Sequence, residues 1–433
     1  MKVPRAPRWK GNRLTVNCAA SAEIPLKLVE HVEGRTRLIV PAVSLEVDPP
    51  PTSPVFFNPA ASLNRDVSVC VTAATEGSSF CDSMAGVGAR GLRIVNEVER
   101  IGQMVFVDFN QAALKIARKA AALNGVLRKC EFTKSETSSY LHSRYGRDQK
   151  FDYVDVDPFG TPVTQIQGAV SATSDGGILS LTATDTAVLC GVYPKVARRR
   201  YGATPLNNHF GHETAIRLLS GTVARMAGSL DVGAHPVAAH STRHYVRVYF
   251  SIDAGATRAE SAIMNLGYVT WCPYCGHTSA TAEQSGTCER CGKKARSAGP
   301  IWLGPLTDEG LLRKARRAAD EMGFGRASET FASLLGIDRF PPWSFSVDDI
   351  CSVLRVPTAS ESDIYRNLKQ MGHTAMRTPF EKGGLKTPAG YAEVVQAVAA
   401  SAGVSAKQRK GSRRQAGSTS GVDGHPFFKL WQK

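Results

Sequence analysis

The stretch from Phe80 to Arg93 has the residue types and spacing of a nucleotide-binding turn. Its glycines are spaced G-x-G-x-x-G, starting with Gly86 and Gly88, between a predicted strand and a predicted helix. Such a turn lets the backbone approach a ligand, and Asp108, at the end of the next predicted strand, can reach ribose hydroxyls. Either NAD or S-adenosylmethionine suits this arrangement. Asp82, four residues before the first glycine, suits the amino end of S-adenosylmethionine and favours that cofactor.

A second stretch, 155–160, places an acid, a proline and an aromatic ring at the end of another predicted strand. Ligands of open α/β sheets bind at that edge. The pattern is typical of enzymes that methylate an amino group: a carboxylate, here Asp157, accepts the amine hydrogens, and a ring, here Phe159, stacks on the base. An ordinary Asp-Pro turn with a core phenylalanine is the alternative. The glycine turn two strands earlier makes that alternative the weaker one.

Two C-x-x-C pairs with twelve residues between them have the spacing of a zinc site. The four residues are Cys272, Cys275, Cys288 and Cys291. Four thiolates fill a tetrahedral coordination sphere, so the predicted zinc is structural and not catalytic. Disulfides are the alternative, but nothing in the sequence indicates an oxidising compartment.

The charge balance favours a polyanionic partner. The chain has 53 lysines and arginines against 38 acidic residues, a net charge of +15, which makes nucleic acid the first candidate. Basic clusters at 198–200, 293–296 and 313–317 lie outside the predicted sheet and suggest a phosphate-binding surface around the cysteine pairs. Simple solvated faces are the alternative. Four histidines are interpreted as packing or hydrogen-bonding residues: His209, His212, His240 and His244.

Length and hydropathy narrow the class of protein. A chain of 433 residues suits two or three domains. No apolar run approaches the roughly 20 residues that span a bilayer, which excludes a membrane-embedded protein and a membrane partner. The first eight residues are basic but lack the apolar core of a secretory signal. We therefore expect a cytoplasmic protein.

The chemistry-bearing residues must be positioned by a sheet with crossover helices, because short apolar runs alternate with helical patterns from about residue 78. The predicted strands are 79–84, 104–108, 130–133, 151–157 and 177–182, and the predicted helices are 89–100, 110–124, 161–173 and 212–228. Segments 235–240 and 244–252 alternate like an antiparallel pair that closes one edge of the sheet.

The character of the sequence changes near residue 255, where the cysteine-rich segment and basic helices begin. From about residue 401 the chain is rich in Gly, Ser, Lys and Arg and ends with the aromatic run 426–431. We expect three units, with limits after residues 254 and 400, and the last of them a flexible basic tail.

Several segments of the sequence resemble the tRNA (guanine26-N2)-dimethyltransferase family, in particular its archaeal members. Segment 30–34 resembles the N-terminal strand and turn of the family, and 55–59 with 64–66 is similar to its F-Y-N-P and N-R-D signatures. The glycine turn, Asp108 and the stretch 157–160 follow in the expected order. Segments 372–378 and 384–387 resemble the closing G-H-x-A-S-R-T and G-I-K-T signature.

The resemblance implies a Rossmann-like class I methyltransferase domain with a mostly parallel seven-stranded sheet over 1–254, and an α+β zinc-containing domain over 255–400 that helps to hold tRNA. It implies transfer of one and then a second methyl group from S-adenosylmethionine to the N2 amine of guanine 26. Asp157 would be catalytic, and Phe56 and Phe159 would sandwich a guanine that has left the tRNA stack. The implied cofactor contacts are Arg65, Arg90, Asp108, Glu136 and Thr137. We expect a monomer.

Three other functions remain as alternatives. An NAD(P)-linked oxidoreductase could use the same glycine turn but gives no reason for the stretch 155–160. A non-catalytic zinc protein that binds RNA leaves the acids Asp82, Asp108 and Asp157 unexplained. An amino methyltransferase acting on another guanine of tRNA, rRNA or DNA would share the cofactor site and differ in substrate selection alone.

Overall fold

The computed structural model describes residues 26–144, 146, 149–242 and 245–403. The basic N-terminal segment, Cys18, His244 and the predicted tail beyond residue 403 lie outside the described residues. The described chain opens with an antiparallel hairpin of β1 (Leu28–Glu33) and β2 (Thr36–Pro41), followed by a short helix, α1 (Val43–Glu46).

A seven-stranded sheet forms the centre of the molecule, as predicted from the sequence. Its strands are β3 (Ser79–Asp82), β4 (Gln103–Asp108), β5 (Cys130–Lys134), β6 (Phe151–Val156), β7 (Thr173–Ala183), β8 (Val232–Ser241) and β9 (Val246–Ala254). Their order is β5-β4-β3-β6-β7-β9-β8. The first five pair in parallel, and β9 pairs antiparallel with both β7 and β8. The antiparallel pair therefore closes one edge of the sheet, as the alternation in the sequence indicated.

Helices connect these strands. They are α2 (Ser62–Ala74), α3 (Ala89–Glu97), α4 (Gln111–Leu123), α5 (Thr137–His142), α6 (Ile166–Ala172), α7 (Thr186–Leu189), α8 (Pro194–Tyr201) and α9 (Gly211–Gly228), with 3-10 turns at Pro59–Ala61, Leu127–Lys129 and Val163–Gln165. Asn110 caps α4 by accepting the N–H groups of Ala112 and Ala113 at 3.0 and 3.3 Å.

Two helices are shorter than the sequence indicated, each for a local reason. The α-helix predicted over 161–173 begins only at Ile166, because Pro162 disfavours helical backbone at the residue before it and residues 163–165 form a 3-10 turn. The helix predicted over 89–100 ends at Glu97, and Arg100 points back to the carboxyl end of α2, where it donates to the carbonyl of Ala73 at 3.2 Å.

The second half of the described chain adds two small sheets and more helices. The elements are α10 (Ala256–Ile263), β10 (Leu266–Trp271), β11 (Thr278–Thr281), β12 (Arg296–Trp302), α11 (Glu309–Met322), α12 (Gly325–Leu334), a 3-10 turn (Ile337–Arg339), β13 (Phe345–Ser346), α13 (Val347–Leu354), α14 (Glu361–Gln370), β14 (Met376–Arg377), β15 (Gly384–Lys386) and α15 (Tyr391–Ser401). The small sheets have the orders β11-β10-β12 and β13-β15-β14.

Two large hydrophobic cores hold these elements together. The main core includes the seven-stranded sheet and continues past residue 254 through Trp271, Trp302 and Phe331. A separate core lies between β13, β15 and the helices α13 to α15. The limits after residues 254 and 400 stay a prediction. No helix of the described chain is long and apolar enough to cross a membrane.

A buried ion cluster joins the main core to the second one, and we call it the clamp cluster: Glu213, Arg217, Glu381 and Lys386. Lys386 Nζ on β15 donates to both carboxylate oxygens of Glu213 on α9, at 2.8 and 2.7 Å. Arg217, one turn along α9, donates to Glu213 Oε1 at 2.9 Å. Glu381 accepts the backbone N–H of Glu213 at 3.0 Å. Lys386 belongs to the closing signature, so that motif forms part of an internal contact.

Candidate active site

The glycine turn lies between β3 and α3 and is tied to Asp108 at the end of β4. The N–H of Gly86 donates to Asp108 Oδ2 at 2.8 Å, and the N–H of Asn110 donates to Oδ1 at 2.7 Å. Gly86 and Gly88 have φ angles of +55° and +78°, a backbone region in which glycine is favoured. A Cβ on Gly88 would lie 2.9 Å from Ala117, whereas one on Gly86 would meet only the Phe56 carbonyl at 3.7 Å. The turn therefore packs against the core on one side and is open on the other, as a cofactor cradle requires.

Asp82 is buried beneath this turn at the end of β3. Its Oδ2 accepts the N–H of Gly91 at 3.1 Å, in the first turn of α3. A side chain on Gly91 would collide with the ring of Phe106 at 2.5 Å, so this glycine allows α3 to pack on the sheet. Burial and the nearby charge of Asp155 raise the pKa of Asp82 to about 7. In the structure Asp82 fixes the start of α3, and its predicted place at the cofactor stays a prediction.

Asp157 follows β6 at the same edge of the sheet, and its side chain is 32% exposed. It forms an ion pair with the Nη2 atom of Arg90 on α3. Arg90 also has its Nε 3.0 Å from Asp155 Oδ2, and its Nη1 donates to Asn64 and Ser68 on α2 at 2.7 and 2.6 Å. The cofactor contact predicted for Arg90 stays a prediction. In the structure Arg90 pairs with Asp157 and so orients its carboxylate.

A buried ion pair behind Asp157 was not predicted from the sequence. Asp155 lies within β6, two residues before Asp157, is fully buried, accepts the Ser180 hydroxyl at 2.5 Å and pairs with Arg247 on β9. Burial alone would raise the pKa of Asp155, but the charges of Arg247 and Arg90 hold it below its ordinary value. One signal was present in the sequence: Arg247 is a single charge inside the apolar strand 246–252.

We call the five charged residues at this edge the edge cluster: Asp82, Arg90, Asp155, Asp157 and Arg247. Asp82 and Asp155 are paired positions of β3 and β6, which brings the three acids and two arginines together where the strands end. Asp157 is the most exposed of the five. The cluster therefore presents one carboxylate to a ligand while the other charges support it.

The two aromatic rings expected to hold a base lie beside Asp157. The centroids of Phe56 and Phe159 are 4.9 Å apart with an interplanar angle of 77°, and Phe159 is 70% exposed. Two rings that sandwich a planar base need a separation of roughly 7 Å, about two van der Waals contacts. The rings touch edge to face here, so a base can enter only if they part.

A pair of backbone contacts fixes the loop that carries Phe159. The N–H of Gly160 donates to the Thr184 hydroxyl at 2.6 Å, and the N–H of Thr184 donates to the Gly160 carbonyl at 2.8 Å. Gly160 has a φ of +91°, which glycine adopts without strain. The loop after β6 is therefore held to the segment that follows β7.

The remaining predicted cofactor residues make contacts within the protein. Arg65 donates to both oxygens of Glu33 at 2.7 and 2.5 Å. Glu136 caps α5 by accepting the N–H groups of residues 138 and 139 at 2.9 and 2.7 Å. The Thr137 hydroxyl donates to the Ser83 carbonyl at 2.8 Å, directly after β3. Of these three, Thr137 is thereby tied to the strand end that carries Asp82.

Two further side chains lie near the site: Phe109, which the sequence pattern left unassigned, and His240, which it assigned to packing or hydrogen bonding. Phe109, next to Asp108, is 77% exposed, an unusual position for a phenylalanine and one beside the expected ribose site. His240 on β8 is buried, and neither of its ring nitrogens has a hydrogen-bond partner among the described residues. Burial and the charges of Arg247 and Arg90 lower the pKa of His240 to about 3, so the ring is neutral and packs against Tyr245 and Tyr249.

The four cysteines of the two C-x-x-C pairs converge on one point. Their sulfur atoms lie within 4.8 Å of one another, with 3.6 Å between Cys272 and Cys291 and 3.6 Å between Cys275 and Cys288. Zn–S bonds of 2.3 Å in a tetrahedron give sulfur separations of about 3.8 Å. No disulfide joins cysteines of the described chain. The donor set and its geometry therefore fit a structural zinc ion.

The sheet order, the glycine turn after β3 and the acid after β4 define a class I methyltransferase fold. A model of the N2,N2-dimethylguanosine tRNA methyltransferase family matches residues 34–399. The chain belongs to this family, which confirms the resemblance and the fold class stated from the sequence.

Curated relatives and a solved structure agree with this assignment. The chain is 31% identical to the tRNA (guanine(26)-N(2))-dimethyltransferase of Methanothermobacter thermautotrophicus, over 80% of this chain and 93% of the relative. It is 34% identical to the enzyme of the same name from Methanopyrus kandleri, over 81% of this chain and 91% of the relative. It superposes on Trm1 from Pyrococcus horikoshii, solved with S-adenosyl-L-methionine, with a TM-score of 0.75 and 27% identity, over 86% of this chain and 99% of that one.

Proposed function

We propose that this enzyme transfers methyl groups from S-adenosylmethionine to the exocyclic N2 amine of guanine 26 in tRNA, giving N2-methyl- and N2,N2-dimethylguanosine. One observation carries the proposal. In a chain of this family, the exposed carboxylate of Asp157 lies at the sheet edge beside the glycine turn and next to the Phe56 and Phe159 rings.

The target guanine would enter between the two rings. It must leave the tRNA stack to be reached, and stacking on Phe56 and Phe159 offsets part of that cost. Asp157 would accept a hydrogen bond from the N2 amine, which directs the nitrogen toward the methyl donor and gives the departing proton an acceptor. Arg90 holds the carboxylate in place, and Pro158 restricts the backbone between Asp157 and the ring.

The cofactor would lie along the open side of the glycine turn. The sulfonium of S-adenosylmethionine supplies an activated methyl group. Asp108 would accept hydrogen bonds from the ribose hydroxyls, and the open turn at Gly86 and Gly88 would let the backbone approach the amino-acid end. The Phe56 carbonyl is within 3.7 Å of the position that a Gly86 side chain would occupy, so the base site and the cofactor site adjoin.

The outer cofactor contacts are proposed with the inner ones. Thr137 and Glu136 would flank the adenine, since Thr137 is bonded to the residue after Asp82 on β3. Arg65 would contact the cofactor from beneath the loop that carries Phe56. Its guanidinium lies 5.1 Å from the Phe57 ring centroid. Asp82 would contribute by fixing the helix start under the amino-acid end of the cofactor.

We further propose that the four cysteines hold a structural zinc ion and that residues 255–400 help to hold the tRNA. Metal analysis of the purified protein should give one zinc per chain. Cys275→Ser should lower both the zinc content and the thermal midpoint. A protein with no zinc and an unchanged midpoint in the variant would contradict this part.

The test of the proposed function is methyl transfer from labelled S-adenosylmethionine to an unmodified tRNA transcript with guanine at position 26. The matched transcript carries adenine there. Label in N2-methylated guanosines from the first transcript alone is the expected result, and nucleoside analysis separates the mono- from the dimethylated product. Equal label in both transcripts would move the target to another guanine, and no label in either would reject the substrate.

We also propose that the enzyme is a monomer and that it acts in the cytoplasm. Light scattering of the active protein should give a mass close to 46.5 kDa. A dimer mass that persists on dilution into the assay would contradict the monomer.

A further inference from the structure

We propose that helix α8 and the residue before it form the surface that binds the tRNA strand next to the extruded guanine. The surface, called the α8 strip, consists of Tyr193, Lys195 and Arg199. This inference rests on the proposed function, because it names the part of the protein that holds the same substrate beside the same site.

Helix α8 is fixed directly to the loop that carries Phe159. Asp185 follows Thr184, whose backbone and hydroxyl hold Gly160. The buried hydroxyl of Tyr201, at the end of α8, donates to Asp185 Oδ1 at 2.6 Å and also contacts the side chain of Thr161. A ligand held by α8 is therefore held at a fixed position relative to the Phe159 ring.

A second set of contacts connects α8 to the small sheet next to the cysteines. Arg198 donates to the Thr204 hydroxyl at 3.0 Å, and Thr204 exchanges backbone hydrogen bonds with Gly299 on β12, at 2.9 and 2.8 Å. The same β12 pairs with β10, the strand that ends at the first cysteine pair. The carboxyl end of α8 therefore contacts both the segment that holds the Phe159 loop and the part of the chain expected to hold tRNA.

Within the described chain, two of the cationic side chains of α8 bond to other parts of the protein, and two do not. Arg200 pairs with Asp185 at 3.0 Å, and Arg198 is engaged by Thr204. Lys195 and Arg199 are exposed, one helical turn apart on the same face, and neither has a side-chain partner among the described residues. Two unpaired cations on a rigid helix suit the phosphate groups of a polynucleotide.

An exposed aromatic ring stands at the start of the helix. Tyr193 is 55% exposed and directly precedes Pro194, the first residue of α8. When a guanine leaves the stack, its neighbours lose a stacking partner, and an exposed ring beside a cationic face is the usual platform for such bases. An exposed ring next to two exposed cations favours single-stranded RNA over an acidic peptide as the ligand.

The basic helix α11 does not offer this contact, although the sequence drew attention to it. Arg313, Lys314 and Arg317 line a groove with Arg100 and with Glu76, which precedes β3. This groove lies at the amino ends of the parallel strands, whereas Asp157 follows a carboxyl end. Strands of four to six residues separate the two ends by about 13–20 Å.

The experiment measures the affinity of unmodified tRNA for the full chain as a function of salt concentration. Lys195→Ala/Arg199→Ala should lower the slope of log Kd against log salt by about 1.4–1.8, for two phosphate contacts. Lys115→Ala/Lys119→Ala is the matched control, because it removes two exposed cations one turn apart on α4. The swapped pair Lys195→Arg/Arg199→Lys should keep the wild-type slope.

A second variant separates the ring from the charges. Tyr193→Ala should weaken binding at least about fivefold at every salt concentration and leave the slope unchanged. Tyr193→Phe should bind like the wild type. An unaffected Tyr193→Ala affinity would overturn the stacking part of the proposal.

An unchanged slope for Lys195→Ala/Arg199→Ala, or an equal fall in the α4 control, would overturn the α8 strip as a binding surface. Binding of S-adenosylmethionine by each variant confirms that it is folded. If the wild type binds tRNA but transfers no methyl group to guanine 26, the proposed function fails and the slopes still decide the surface. If it methylates guanine 26 and the α8 slope is unchanged, the surface alone fails.

Discussion

The edge cluster and the clamp cluster bury similar sets of charges in different ways. Both place carboxylates against arginine or lysine with little exposure to water. In the edge cluster one carboxylate, Asp157, remains 32% exposed where parallel strands end. In the clamp cluster Lys386 and Glu213 are fully enclosed between α9 and β15. The proposed reactive site and the internal contact therefore differ in access to a ligand and not in charge pairing.

The pKa values of the carboxyl groups are shifted in both clusters. Burial would raise the pKa of Glu213, but Lys386 and Arg217 hold it below its ordinary value. Each cluster also has one carboxyl whose pKa is raised: Asp82, to about 7, and Glu381, to about 8, both mainly by burial. In the edge cluster three acids share two arginines, whereas in the clamp cluster two acids face two cations, so burial and the neighbouring Glu213 charge, without an excess of acid, raise the pKa of Glu381.

The largest expected effect is on catalysis through the edge cluster. Asp157→Asn should reduce single-turnover methyl transfer by about 10²–10⁴-fold, because it removes the acceptor for the amine proton. Its thermal midpoint should stay close to that of the wild type, since Arg90 keeps Asp155 and Asn64 as partners. A loss of transfer smaller than threefold would exclude a catalytic role for this carboxylate.

The clamp cluster should respond in stability instead. Lys386→Met leaves the buried Glu213 with Arg217 as its remaining ion-pair partner and should lower the free energy of unfolding by about 3–5 kcal/mol in urea titrations. Lys386→Met/Glu213→Gln removes the stranded charge and should recover part of the loss. If the single variant unfolds at the wild-type urea concentration, the clamp does not stabilise the fold.

The raised pKa of Glu381 predicts a pH dependence of stability. Below its ordinary value of 4.5 the carboxyl holds a proton in both the folded and the unfolded state. Between that value and about 8 only the folded state keeps it, so rising pH lowers the free energy of unfolding by up to about 1.4 kcal/mol per unit. The free energy of unfolding of Glu381→Gln should therefore rise relative to that of the wild type as pH rises from about 5 to 8. Parallel stability curves would show that Glu381 does not titrate in this range.

The smallest effect is expected at an exposed pair that serves as the reference for both clusters. Arg37 donates to Glu30 at 2.6 and 2.8 Å on the β1–β2 hairpin, where both side chains contact water. Glu30→Gln should leave the thermal midpoint and methyl transfer unchanged, because solvent screens this pair. A measurable loss would show that ion pairing itself, without burial, stabilises the chain.

Local signals in the sequence were sufficient for much of this architecture. Alternating apolar runs located the sheet, and glycine and asparagine marked the helix ends, as at Asn110. The cysteine pairs were found because each ligand pair is two residues apart, so spacing alone carries the information. Asp157 became the catalytic candidate because its proline and aromatic neighbours follow it directly, and that role stays a prediction.

Contacts between distant positions could not be predicted in this way. Arg247 and Asp155 are 92 residues apart, and Lys386 and Glu213 are 173 apart. The sequence around one residue of each pair does not identify its partner, because the pairing depends on which strands and helices become neighbours. For the same reason the ion pair between Arg90 and Asp157 could not be predicted, while the role of Arg90 at the cofactor stays a prediction.

The most direct test compares Asp157→Asn and Lys386→Met in two measurements at one temperature where both remain folded. The measurements are the single-turnover rate of methyl transfer to tRNA and the free energy of unfolding. The account predicts opposite patterns: the first variant loses transfer and keeps stability, and the second keeps transfer and loses stability. If both variants lose both quantities in proportion, the edge cluster is a structural tie like the clamp, and the catalytic assignment of Asp157 is wrong.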